Sequence, residues 1–523
     1  MLIFTSAEYS LSVQNTRMFK NENLYSILAS GFPADLDTVA IETPSRLYSF
    51  RDIEQASARF ANYLSSLGMP PGGRILVQVE KSPEALMFYL GVLRAGFVYV
   101  PLNTAYRETE LAYFLGDAKP SLVVCSEPNR AWVDALVQKQ GSVRVETLNA
   151  DRSGTLLDAA TAFASNFETV ASLSDDLGVI LYTSGTTGRS KGAMLSHLNM
   201  ASNAQVLHRY WGWQSSDVLL HMLPIFHVHG LFVAAHGALL AGARMVWLPK
   251  FDIEQALHYL PRCTVMMGVP TYYVRLLAQP EFGHAHCKNM RLFISGSAPL
   301  LQETFDNFRQ RTGHTILERY GMSETVMLTS NPYDSKEGPR LGGTVGRPLP
   351  GVAVRVVGDT DQPMPDGEIG HIQVRGDNVF SGYWQMPDKT QESFTNDGWF
   401  RTGDLGHWNQ QGYLVIVGRS KDLIITGGYN VYPKEIELII DDLPGVLESA
   451  VVGVPHPDFG EAVVAVVVPQ PGATLEPTAL QAQLKQLIAN FKVPKHVHVV
   501  AELPRNTMGK VQKNVLRDRY QLS

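Results

Sequence analysis

The residues with the most obvious chemistry lie in "LYTSGTTGRSKGAMLSH", Leu181 to His197. Glycines 185, 188 and 192 let backbone N–H groups approach an anion closely. Thr183, Ser184, Thr186 and Thr187 add hydroxyl donors, and Lys191 adds a point charge. The spacing is not that of the common nucleotide-binding loop, because Gly188 is followed by Arg189 and Ser190 before Lys191 arrives. In isolation such a stretch is equally a Ser/Thr/Gly surface loop. Here it follows the apolar run "GVILY" and precedes a helix expected to cap at Ser196, which is where a phosphate loop belongs. A second constellation, His227 and His229, invites a metal reading because alternate strand residues share a face. No nearby acid or cysteine completes a ligand set, so a metal is not expected there.

The elements that position these residues alternate along the chain. "RILVQV" leads into "SPEALMFYLGVLRAG", where Ser82 can cap a helix beginning at Pro83. "SLVVCS", "GVILYTS", "ARMVWLP", "CTVMMGVP" and "MRLFISG" read as buried strands of largely parallel α/β layers. Beyond about Gly342 the texture of "VAVRVVGD", "GHIQVRG" and "GYLVIVG" predicts a smaller β subdomain. A third region has one helix ("PKEIELIIDDL"), a strand pair ("ESAVVGVP", "AVVAVVVPQ") and a last helix ("ALQAQLKQLIANF"). The expected fold class is therefore α/β: a large N-terminal domain of layered α/β subdomains plus a β subdomain, with a small mobile C-terminal α+β domain. The expected divisions are a poorly ordered leader over 1–20, a core over 21–417, a hinge over 418–424 and a mobile domain over 425–523.

Bulk properties exclude several classes. With 44 basic and 50 acidic residues the net charge is −6, and the sequence pI is near 6.2, which argues against a nucleic-acid partner. Three isolated cysteines, Cys125, Cys263 and Cys287, suit a reducing compartment without a disulfide framework. The opening "MLIFTSAEYS" lacks the basic n-region and the apolar length of an export signal, so a cytoplasmic location is expected. Val218 to Ala243 carries no Asp, Glu, Lys or Arg, but its four histidines weigh against a membrane span. It reads instead as a buried strand ("VLLHMLP") followed by a buried helix ("GLFVAAHGALLAG"). No motif speaks to oligomeric state.

The loop resembles the phosphate loop of the acyl-adenylate-forming superfamily, which includes acyl-CoA synthetases, firefly luciferase and peptide-synthetase adenylation domains. Further stretches match in the family's order: "GSAPL" from Gly296, "ERYGMSET" from Glu318, "WFRTGD" ending at Asp404, "GRSKDLIITGGYNVYP" from Gly418 and "PRNTMGK" ending at Lys510. The likeness covers nearly the whole chain. It implies that Thr183, Ser184, Gly185, Thr186, Thr187, Gly188 and Lys191 grip the β and γ phosphates of ATP. It implies adenosine contacts from Gly296, Ser297, Ala298, Tyr320, Gly321, Asp404 and Arg419. Ser323 stands where the family usually has threonine; either hydroxyl can donate to the α-phosphate. Glu324 suits Mg2+, a cation that wants hard oxygen ligands and bridges phosphates. Lys510 is the implied cation between the carboxylate and the α-phosphate, where two anions must approach. Lys421 is the implied hinge, and Gly427 and Gly428 line a channel for the thiol of coenzyme A. A lysine acetyltransferase acting on Lys510 would remove its charge.

Within the family, "LPIFHVHGLFVA", "MMGVPTYYVRLL" and "LPRNTMGKVQKNVLR" most resemble malonyl-CoA synthetases. A dicarboxylate needs a fixed cation for its unreacting end. Arg275, five residues past Pro270 on an expected helix, is the first candidate and Arg291 the rival, since a planar fork suits a carboxylate. By resemblance His227 and Met322 border the acid. The expected reaction is ATP-dependent ligation of malonate to coenzyme A through malonyl-adenylate. The alternatives are a ligase for another short acid (methylmalonate, oxalate or acetate), a nucleotide-binding protein without catalysis, and a luciferase-like oxygenase.

Overall fold

The computed structural model describes residues 22–141, 143–183, 190–426, 429–456, 460–506 and 509–521. The expected leader, Gly427, Gly428 and the loop residues Ser184–Arg189 lie outside the described residues. The chain divides into two compact units: one runs to Ala353 and takes in Arg375–Gly398, the other comprises Val354–Val374 and the chain from Trp399.

The first unit contains two large sheets. One has seven strands in the order Gly382–Tyr383, Lys191–Ser196, Leu177–Thr183, Val98–Pro101, Arg74–Gln78, Leu122–Cys125, Arg144–Thr147. Its last five strands are parallel, matching the buried apolar runs that the sequence offers there. Helix Pro83–Arg94 starts where Ser82 Oγ accepts from the Ala85 N–H at 3.1 Å. Helix His197–Tyr210 is closed by a reciprocal capping box between Ser196 and Asn199. One expectation changes here. The phosphate-type loop does not lead straight into that helix, because strand Lys191–Ser196 intervenes and pairs antiparallel with Leu177–Thr183. That strand is also paired on its other side by Gly382–Tyr383, so its backbone groups are satisfied as a ladder rather than as a helix turn.

The second large sheet has nine strands in the order Arg347–Pro348, Val326–Ser330, Leu317–Met322, Leu292–Ser295, Val265–Gly268, Val218–His221, Arg244–Trp247, Val39–Glu42, Leu47–Ser49. Its centre is parallel, and a core rich in Leu, Phe, Met and Tyr backs it. The apolar segment after strand Val218–His221 is buried and helical, but its first part, His229–Ala235, is π-helical before the α-helix His236–Ala241. Lys81 joins the two sheets. Its ammonium donates to His221 Nδ1 at 2.8 Å, His221 O at 2.9 Å and Leu248 O at 2.7 Å, which uses all three donors of a fully buried cation. Among the described residues no helix is long and apolar enough to cross a membrane.

The second unit contains a four-stranded sheet, Ala353–Val357, Gly370–Arg375, Phe400–Trp408, Leu414–Arg419. The expected β texture is present, and "WFRTGD" adds a strand that its glycine disguised. Beyond it, strands Ile424–Thr426, Tyr429–Val431, Val446–His456, Gly460–Pro469 and His496–Val499 form one sheet with helices Pro433–Asp441 and Pro477–Leu487. The latter is not the last helix, as expected from the sequence: Lys513–Arg519 follows. That helix is seven residues long and buries Leu516 alone, too little for an apolar period to show. Within the expected hinge, 418–424, a 3₁₀ turn, Ser420–Asp422, joins the end of strand Leu414–Arg419 to the start of strand Ile424–Thr426, and the segment lies inside the second unit.

Candidate active site

In the first unit, Thr183 ends one strand and Lys191 begins the next, directly opposite each other in the ladder. Tyr113 braces the return by donating to Ser190 O at 2.6 Å. The Lys191 ammonium sits 4.7 Å from the centre of the Tyr383 ring. Tyr383 in turn donates its hydroxyl to Glu324 Oε1 at 3.0 Å, and Glu324 is buried at 6% exposure. Glu324 and Ser323 occupy the turn between strands Leu317–Met322 and Val326–Ser330. The turn is tight: a Cβ at Gly321 would stand 1.9 Å from Val326 O, so only glycine fits. Tyr320 is buried in the first of these strands and Met322 is half-buried at its end.

Beside this turn lies a second cluster. Arg319 is buried at 3% exposure, and its Nε and Nη2 have no hydrogen-bond partner among the described residues. Its guanidinium lies so close to Gly296 that a Cβ there would come within 2.4 Å of Cζ. Burial lowers the Arg319 pKa to about 9, with the neighbouring Tyr273 opposing the shift. His229, fully buried, has no partner for Nε2 among the described residues, while its Nδ1 is 3.3 Å from Ser297 Oγ. Burial first, and Arg319 next, push the His229 imidazole well below its ordinary pKa, so it is neutral. His227 is half-buried, and its Nδ1 accepts from the His229 N–H at 3.2 Å. Ser297 holds a left-handed backbone, φ 70°, between Gly296 and Ala298.

The two arginines expected to anchor a second carboxylate are placed otherwise. Arg291 donates from Nε and Nη2 to both oxygens of Asp217, at 2.7 and 2.6 Å, and from Nη1 to Trp211 O at 2.9 Å. Its fork is consumed by a structural ion pair, which corrects its candidacy. Arg275 is on the expected helix, Pro270–Leu277, but it is exposed, 6.0 Å from the Phe251 ring. Among the described residues no group of three or more His, Cys, Asp or Glu could hold a metal.

In the second unit, Asp404 and Arg419 face each other across paired strands, with Arg419 Nε 2.6 Å from Asp404 Oδ1. Asp404 is buried at 4% exposure inside strand Phe400–Trp408. Lys510 closes a small loop. Its N–H donates to Asn506 Oδ1, the Asn506 N–H donates to Lys510 O, and Arg505 donates to Gly509 O while pairing with Glu448. Lys510 is exposed at the surface, yet the surrounding protein and then Arg419 push its ammonium below the ordinary value, with Asp404 opposing. Lys421, also exposed, is lowered by its surroundings in the same way.

Sequence reasoning missed Arg319, Tyr383 and His229 as site residues. Arg319 carried a signal: it is a cation, next to Glu318, inside the short strand "LERYGM". Tyr383 carried none, since its partners are distant in the chain.

A family model described as AMP-binding enzyme matches residues 32–384, and one described as AMP-binding enzyme C-terminal domain matches residues 435–510. The crystal structure of ATP-bound MatB from Rhodopseudomonas palustris is 52% identical, covers 96% of this chain and 99% of that one, and superposes with a TM-score of 0.93. A mitochondrial malonate–CoA ligase of Mus musculus is 38% identical over 458 residues, 81% of this chain and 77% of that protein. A sulfoacetate–CoA ligase of Cupriavidus necator is 35% identical over 458 residues, 86% of this chain and 88% of that protein.

Proposed function

The chain belongs to the AMP-binding enzyme family, and from that premise we propose that it ligates malonate to coenzyme A with ATP, through malonyl-adenylate, giving malonyl-CoA, AMP and pyrophosphate. The observation that carries the choice of acid is Arg319, a buried guanidinium whose Nε and Nη2 have no partner among the described residues. A second carboxylate on the acid would complete it, and a planar fork is suited to that pairing. Neutral His229 beside it would accept or donate without adding a competing charge. We therefore assign the anchor to Arg319 rather than to Arg275 or Arg291.

A free carboxylate is a poor acyl donor because its leaving group would be oxide. Attack on the α-phosphate makes an acyl-adenylate, and a thiol then displaces AMP. We assign Thr183, Lys191 and the loop between them to the β and γ phosphates, and Ser323 to the α-phosphate. Tyr320, Gly296, Ser297, Ala298, Gly321, Asp404 and Arg419 are assigned to adenosine. Lys510 supplies the cation between the two reacting anions, and Lys421 is the hinge that moves it between half-reactions. Gly427 and Gly428 are assigned to the thiol channel. Magnesium, when bound, would neutralise phosphate charge. Glu324 fits it as a buried hard-oxygen ligand, and the lack of a three-residue ligand cluster among the described residues suits an ion that completes its shell with phosphates and water. Acetylation of Lys510 would switch off adenylation by removing its charge. A cytoplasmic location agrees with three buried, unbridged cysteines.

The test is an acid screen that detects pyrophosphate. Malonate should be used well, methylmalonate modestly, and acetate and butyrate almost not at all, because they leave Arg319 buried and unpaired. Sulfoacetate belongs in the screen, since it too carries a second anion. A sulfoacetate preference would keep the anchor and change the acid; acetate turnover equal to malonate turnover would sink both.

A further inference from the structure

Lys191 and Glu324 come from different sheets, one opening strand Lys191–Ser196 and the other in the turn after strand Leu317–Met322. A single side chain touches both. The Tyr383 ring holds the Lys191 ammonium 4.7 Å from its centre, while the Tyr383 hydroxyl donates to Glu324 Oε1 at 3.0 Å. The segment carrying Tyr383 is fastened at both ends. Gly382 and Tyr383 pair with Met194 and Ala193, and the Trp384 N–H donates to Gly192 O at 2.7 Å, which ties it to the lysine's own strand. The Phe380 N–H donates to Glu324 O at 2.8 Å, which ties it to the glutamate's own backbone. The Phe380 and Tyr383 rings meet edge to face at 4.8 Å, and the Tyr383 N–H donates to Thr390 Oγ1 at 2.9 Å, so the ring cannot swing.

We propose that Tyr383 is a positioning residue that holds the phosphate-binding lysine and the magnesium-binding glutamate in fixed relation without letting them neutralise each other. The proposal rests on the roles given to Lys191 and Glu324 above. The physics follows from the two faces of a phenol. The ring's negative face attracts an ammonium without competing for its hydrogen-bond directions, which stay available to phosphate oxygens. The hydroxyl fixes the rotamer of the carboxylate by donating to one oxygen, the usual task of a group behind a metal ligand. A direct Lys191–Glu324 ion pair would instead cancel both charges before nucleotide arrives.

The experiment uses the full chain and calorimetric binding of a non-hydrolysable ATP analogue, with and without Mg2+, and no acid substrate. Tyr383→Phe keeps the ring and removes the hydroxyl. Its affinity without Mg2+ should match wild type, while the gain in affinity on adding Mg2+ should fall by about 10-fold, the lower end for losing a group behind a metal ligand. Tyr383→Leu removes both features and should also weaken binding without Mg2+, by at least roughly 2- to 5-fold, the low end for a lost cation–π contact. A merely structural role would lower both affinities together in Tyr383→Phe, and that result would overturn the inference. So would a Tyr383→Phe variant with the wild-type response to Mg2+. If Tyr383→Leu does not fold, the Phe variant decides alone. A wild type whose binding ignores Mg2+ would overturn the role of Glu324 as well, whereas a wrong choice of acid changes none of these readings.

Discussion

In the second unit Arg419 is paired with Asp404, Arg517 with Asp422, Arg505 with Glu448 and Lys513 with Glu437, whereas in the first unit Arg319 is buried with two unpartnered donors and Lys191 rests on an aromatic face. The pairs of the second unit brace short strands, a loop and a turn, and each of these four cations is already compensated. A guanidinium taken out of water without a partner is costly, so its persistence points to an anion that arrives later. Burial alone is not the mark. Lys81 is buried too, but three acceptors satisfy it, and it reads as a clamp between sheets. Arg291, with both oxygens of Asp217, is the same kind of brace within the first unit.

The largest expected effect comes from Arg319→Met, which removes the uncompensated fork. Malonate kcat/KM should fall by about 10⁴-fold, the usual penalty when a site built for a polar partner loses it. Turnover of butyrate or pentanoate should rise in the same variant. A variant that keeps most of its malonate activity would erase the distinction between compensated and reserved cations. Next in size is Lys510→Ala. Adenylation should drop on the order of 10²–10³-fold, as for loss of one preorganised charge contact, while thioester formation from supplied malonyl-adenylate survives. Equal damage to both half-reactions would remove Lys510 from its assigned role.

Arg291→Met sharpens the contrast from the other side. It strands the buried Asp217 carboxylate and should cost about 3 kcal/mol of stability in denaturant unfolding, at the low end for breaking a buried pair. Its preference for malonate over butyrate should be unchanged. The smallest effect concerns protons. Burial depresses the His197 pKa to about 4, and its Nδ1 accepts from the Leu24 N–H at 3.0 Å, a bond that only the neutral ring can accept. Because the folded pKa lies below the unfolded one, the unfolded chain takes up protons first as pH falls. Stability is therefore full above about pH 7 and declines toward pH 4, with about 2 kcal/mol lost from this one group between pH 7 and pH 5. His197→Gln should flatten the profile by that amount. An unchanged slope would mean that the ring is not held neutral.

The α/β layering was legible in short contiguous stretches, and the expectations for the phosphate loop, for Asp404 with Arg419 and for the loop ending at Lys510 were drawn from such stretches too, because each was read from residues near in sequence. "YTSGTTGRSKG" needs only its own glycines, hydroxyls and lysine, and "SPEAL" its own cap. Local signals misled where pairing partners were remote. Lys191–Ser196 became a strand because Leu177–Thr183 and Gly382–Tyr383 lie alongside it. The same limit governs the site. Whether an arginine is spent or available depends on what surrounds it, and Asp217 lies 74 residues from the Arg291 that it occupies. Residue types and spacing determined that this chain handles a nucleotide and an acid. Only the tertiary structure decided which buried cation has no carboxylate of its own, since that depends on packing and desolvation across two sheets, which no stretch of sequence carries.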